Sequence, residues 1–245
     1  MNRFRHLMVI ALLAGSMAGL LLFAVRHVTI IPLITIAEGF EEAAAHAGHD
    51  HAPGAHAHEE DEGWQPAPGF QRISLTAATT VLSGIGFAAM LLAAMSLSGA
   101  PLTARRGVLW GLAGFACFVL APALGLPPRP PGAVEGDLHA RQLWWAGTVV
   151  ATAAGLWLIA ARAQSWWSPW WNWVAGLILV LLPHAVGAPM PHGMPDGADV
   201  VPPMLIRDFV RMSLATNLLF WIVLGVVCGA LMDRAAQGRR AVRRV

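Results

Sequence analysis

The chain has 245 residues, of which 56% are hydrophobic and only 12% charged. That charged share is about half the globular norm, too little to cover a soluble core of this size. The formal net charge is only +2, every basic residue is arginine, and the arginines cluster along the chain, so they read as topology signals rather than as a nucleic-acid surface.

The apolar residues fall into six blocks: 7–31, 73–97, 107–126, 143–161, 171–187 and 213–232. Each is about twenty residues, the helical length that spans ~30 Å of hydrocarbon. The pattern predicts an all-α fold, a polytopic transmembrane helical bundle forming one membrane domain over residues 1–245. The count is six spans, or five if 171–187, short and ended by Pro183, re-enters the membrane. The first block follows Arg3 and Arg5, as the apolar region of a signal peptide would. Its apolar run continues through Phe23 and resumes at Val28, so an uncleaved helix is expected.

Charge sets the orientation. Arg3, Arg5, Arg105, Arg106, Arg162, Arg234, Arg239, Arg240, Arg243 and Arg244 fall on one side of alternating spans. Arg72, Arg129, Arg141, Arg207 and Arg211 fall on the other, and all the acids except Asp233 lie there too. The arginine-rich side is expected to be cytoplasmic, with both termini. Gly15 and Gly19, Gly107 and Gly111, and Gly225 and Gly229 form GxxxG pairs in three spans, which predicts close helix packing. Trp64, Trp144, Trp145, Trp166, Trp167, Trp170, Trp171 and Trp173 lie at span ends and read as interfacial anchors. Cys117 and Cys228 sit in apolar blocks without CxxC spacing and read as small buried hydrophobes. Prolines at 127–131 and through 188–204 predict stiff outer loops around a shaped vestibule.

Three groups of residues could handle a cation. Between the first two spans, 43–70 is expected to be a flexible outer loop rich in His and acids. His46, His49, His51, His56 and His58 fall within thirteen residues there, and imidazole suits zinc, nickel, cobalt or copper. Eight acids against one arginine between Glu38 and Arg72 should concentrate cations at the outer face. The plainer reading of this stretch is a solvated low-complexity loop. In the second group, Glu38, Glu41 and Glu42 would share one face of a helix continued past Pro32. Arg26 and His27 interrupt the first block nearby, and Arg26 would either snorkel or pair with one of these acids. In the third group, Pro183 breaks a helix beside His184, with His192, Met190, Met194, Asp196, Asp199 and Asp208 within reach in sequence.

No GxxxxGK[ST], HExxH, GxSxG or CxxCH motif is present, so the chain is not expected to be an enzyme or to hydrolyse ATP itself. No permanently bound cofactor is expected.

Several stretches resemble the predicted cobalt transporter subunit CbtA family. They are 12–22 (LLAGSMAGLLL), Ile31-Pro32-Leu33-Ile34 with Glu38 and Glu41, 120–128 (LAPALGLPP), Arg141-Gln142-Leu143-Trp144-Trp145, and Leu182-Pro183-His184 with Gly187 and Pro189. The resemblance covers nearly the whole chain. It implies a multi-pass protein of the bacterial inner membrane, cobalt uptake linked to cobalamin synthesis, and a small single-span CbtB-like partner subunit with a histidine-containing end. It also implies interest in Glu38, Glu41, Arg141 and His184, which match the family's pattern, and it implies five spans against the six counted from hydropathy.

Together these readings predict a subunit that brings divalent cobalt, or nickel, inward. The histidine loop would collect the ion, and Glu38, Glu41, His184 and His27 would form a narrower site near the outer leaflet. The partners would be the bilayer, the small subunit and, if it self-associates, further copies of the chain. The alternative is a non-transporting metal-binding accessory or sensor membrane protein.

Overall fold

The computed structural model describes residues 2–49, 66–67, 69–99, 103–164, 170–190 and 199–242. Among these the chain is all helical: α1 (Asn2–Thr29), α2 (Ile31–His49), α3 (Phe70–Leu97), α4 (Ala104–Phe115), α5 (Ala121–Gly125), α6 (Leu138–Gln164), α7 (Trp171–Val186) and α8 (Pro203–Val242). A π-helical turn, Ala116–Leu120, joins α4 to α5. Five runs are long and apolar enough to cross a membrane: Phe4–Thr29, Phe70–Leu97, Ala104–Gly125, Leu138–Ala160 and Pro203–Gly238. The sixth apolar helix, α7, has 16 residues, which at 1.5 Å each reach only about 24 Å. The molecule is a polytopic helical bundle of the membrane type.

Small residues face inward and large apolar ones face outward. Ala11, Ala14 and Ala18 are buried, while Leu12, Leu13 and Leu20 on the same helix are exposed. Lipid tails are as apolar as leucine, so packing within the bundle depends on close backbone approach rather than on escape from water. The glycine pairs supply it. A Cβ at Gly15 would overlap the backbone of Ile85, which fixes α1 antiparallel against α3. Gly107 and Gly225 each face the other's carbonyl oxygen, and Gly111 faces that of Trp221, which fixes α4 antiparallel against α8. A third contact, Gly155 on Gly176, pairs α6 with α7. It lies outside the GxxxG pattern and was not expected.

These contacts leave one end of the bundle solid. Ile10 and Ala14 of α1, Leu92 and Met95 of α3, and Leu224 and Cys228 of α8 pack there into one core. Both cysteines are buried and free, as expected.

At the opposite end two prolines reshape the helices. Pro32 offers no N–H to the preceding turn. The chain nevertheless stays helical across it, with Ile30 N–H donating to the Arg26 carbonyl (2.9 Å) and Ile34 N–H to the Ile30 carbonyl (3.0 Å). α2 then continues to His49, so residues 43–49 of the segment expected to be loop are helical. A run of three alanines after Glu41 and Glu42 favours that extension. Before Pro122 the helix widens: Ala121 N–H reaches back to Ala116, and the next residue has no N–H to give.

Candidate functional site

The end of the bundle beyond the core opens into a vestibule of about 800 Å3 between α1, α3, α5, α6 and α8. Its floor is aromatic. Phe118 stacks on Trp221 with ring centres 5.5 Å apart, Phe87 meets Trp221 at 5.1 Å, and Phe220 packs at 5.7 Å. Trp221 is 1% exposed. The walls carry a polar stripe from α3, Thr76, Thr79, Thr80 and Ser83, at i, i+3, i+4 and i+7. Opposite it lie Arg26 of α1 and Ser213 and Asn217 of α8.

The rim is built from loops that the sequence marks as proline-rich. Arg129 donates to Asp199 Oδ1 (3.1 Å) and to the Val134 carbonyl (2.8 Å), while Val134 N–H donates to the same carboxylate oxygen (2.8 Å). One carboxylate thus joins two loops 70 residues apart. Gly132 has φ +74°, open to glycine without strain, and places the loop against Glu41 and Val201. Arg141 pairs with Glu135, and Arg72 of α3 pairs with Glu38 of α2. Exposed ion pairs of this kind contribute about 0–1 kcal/mol each, so they position the rim more than they stabilise it.

The candidate ligands separate. Glu38 is committed to Arg72. Glu41, Glu42 and His46 stand exposed along α2. His27 is exposed on α1, its ring 5.9 Å from that of Phe23. His49 ends α2; its side chain, and His51, His56, His58 and His192, lie outside the described residues. Asp199 is committed to the rim, and Asp208 lies beside Arg211 at 3.7 Å. Among the described residues no three His, Cys, Asp or Glu side chains come together closely enough to hold one ion. Glu38, Glu41, His27 and His184 therefore do not form one site in this conformation, and Arg26 does not pair with the acids of α2.

His184 is placed differently from the expectation. α7 runs through Pro183 to Val186, and the Pro183 carbonyl accepts from Gly187 N–H (3.1 Å) and from the Trp144 indole (3.2 Å). Trp144 is thus an internal strut as well as a residue at a span end. The His184 ring sits edge-on to Trp144, with Nε2 3.0 Å from the Ala121 carbonyl and Nδ1 3.3 Å from that of Val180. With its proton on Nε2 it donates to Ala121 and ties α7 to α5 at the widened turn. His184→Ala would leave that carbonyl without its donor, a loss of about 1–3 kcal/mol. His184→Gln keeps an N–H of similar reach. Thermal unfolding in detergent should show the Ala variant several degrees lower and the Gln variant near wild type; equal losses in both would remove the strap role.

The sequence reading missed the hydroxyl stripe, although its helical spacing was visible, and missed Asn217, the asparagine of the last apolar block. It also missed the aromatic floor, for which there was no signal: aromatic residues inside an apolar helix do not reveal which face meets a neighbour.

A family model described as Probable cobalt transporter subunit (CbtA) matches residues 4–233. No curated protein and no solved structure matches the chain.

Proposed function

The chain belongs to the CbtA family of probable cobalt transporter subunits, and from that premise we propose that it carries divalent cobalt inward across the bacterial inner membrane, in support of cobalamin synthesis. Nickel is the alternative cargo. The observation that carries the reading is the family match over nearly the whole chain. A multi-pass bundle with a vestibule closed by an aromatic floor is the kind of body such a role requires.

In this reading the vestibule faces outward and both termini are cytoplasmic, as the arginine distribution favours. Glu41, Glu42 and His46 on α2, with His49, His51, His56, His58 and His192, raise the local concentration of the ion by charge and weak imidazole ligation. An inward-negative potential favours entry of a divalent ion by about 4.6 kcal/mol per 100 mV, twice the single-charge value. A small single-span CbtB-like subunit completes the transporter. The chain holds no resident cofactor, and cobalt is cargo.

The test is radioactive cobalt uptake in cells lacking other cobalt importers, with and without the small subunit. Wild type should give saturable uptake. A variant with His46, His49, His51, His56 and His58 all changed to Ala should lose uptake at low cobalt and recover it at high cobalt. No uptake in any combination, with intact protein in the membrane, would overturn the importer and leave the accessory metal-binding role.

A further inference from the structure

Arg26 lies in the last turn of α1, half-buried in the vestibule wall. Its guanidinium offers five N–H donors. The hydrogen bond it makes is to Asn217 Oδ1, at a long 3.4 Å. The Asn217 amide in turn donates to the Ser213 carbonyl at 2.8 Å, which holds Oδ1 toward the arginine.

The other two arginines lining the vestibule are matched, Arg129 by Asp199 and Arg141 by Glu135. Glu38, the acid nearest in sequence, is held by Arg72. Among the described residues no carboxylate pairs with Arg26, so of the described charges lining the vestibule this one is uncompensated. Arg26 lies within the Phe4–Thr29 span, where an ionisable group is costly without a partner. Thr79 and Thr80, whose hydroxyls donate to the Leu75 and Thr76 carbonyls of their own helix, are neutral and supply no counter-charge. Apolar side chains line the same cavity, among them Phe23, Ile30, Phe209 and Leu214. The volume of about 800 Å3 lies within the usual range of small-molecule sites, about 300–1,000 Å3.

We infer that the vestibule is a binding site for an oxyanion, a carboxylate or phosphate group held by Arg26 beside Asn217, with any apolar body lying along the Phe23–Phe209 walls. Planar N–H pairs on guanidinium match both groups. The anion has two sources: the head of an acyl amphiphile drawn from the membrane, or a small anion from solution. The site stands on the cavity and its charges and does not depend on cobalt. An anion there would also remove the repulsion that Arg26 exerts on a divalent ion descending the vestibule.

The test is binding to the purified full-length chain in detergent, with radiolabelled dodecanoate, acetate and inorganic phosphate in separate arms. Arg26→Gln removes the charge. Asn217→Asp keeps Arg26 but gives it an internal carboxylate, and so decides the matter if Arg26→Gln fails to fold. Wild type should bind at least one of the three saturably, and both variants should bind it at least about tenfold more weakly. Dodecanoate alone would identify a membrane amphiphile as the source; acetate or phosphate binding equally well would identify a small free anion. Absence of saturable binding to wild type, or wild-type affinity in a folded variant, would overturn the site.

Discussion

Gly225→Leu should leave little correctly folded protein in the membrane. Two effects compete at this position. Leucine raises helix propensity over glycine by about 1 kcal/mol. Against that, its Cβ would overlap the Gly107 carbonyl and meet the Gly111 backbone. Neither obstacle is a side chain that can rotate away, so α4 and α8 would have to separate along their length. Overpacking a well-packed site typically costs about 1–3 kcal/mol where side chains can shift. Between two backbones the cost belongs at or above the top of that range, and it outweighs the propensity gain. Gly147 is the control, because a Cβ there meets nothing within 4 Å. Fluorescence-detected size-exclusion chromatography of the two Leu variants should show loss of the monodisperse peak for Gly225→Leu and retention for Gly147→Leu. Equal profiles would mean that α4 and α8 do not meet through these glycines.

Trp221→Ala should be the most damaging loss of volume in the vestibule floor. The indole is almost fully buried, stacks on Phe118, meets Phe87 and Phe220, and fills the space left by the absent side chain of Gly114. Truncating a buried aromatic residue of this kind costs about 3–5 kcal/mol. Two consequences should appear together: a large fall in unfolding temperature, and a floor that no longer separates the vestibule from the core beneath it. Trp221→Phe keeps most of the ring contacts and should lose much less. An unfolding temperature for Trp221→Ala within a degree of wild type would mean that the aromatic cluster is not packed as described.

The bundle was legible because membrane helices announce themselves by length and hydropathy, and because glycine pairs four apart mark a close approach. The sequence could not say which glycines would meet. Gly107 against Gly225 and Gly155 against Gly176 are contacts between distant segments that local spacing does not encode. The site was less legible for the same reason. Asp199 is a plausible oxygen ligand when read beside His184, but Arg129, seventy positions earlier, claims it. Pro183 looks like a helix break, yet α7 runs through it to Val186, and its own carbonyl accepts from the Gly187 N–H and the Trp144 indole. Glu38, Glu41 and Glu42 do lie on a helix past Pro32, yet Arg72 takes Glu38 out of any ligand set. Arg26 was marked as costly from its position alone, and the structure adds that no acid of the described chain answers it.

The proposed route takes cobalt through the vestibule from the outer face. It is tested most directly by placing a cysteine on the vestibule wall, Ser213→Cys, and treating cells with a membrane-impermeant thiol reagent before measuring radioactive cobalt uptake. The two natural cysteines are buried, so wild type should keep its uptake after treatment. The variant should be labelled from outside and its uptake should fall to the level of cells without the chain. Full labelling with unchanged uptake, or labelling only from the cytoplasmic side, would contradict the outward-facing entry route.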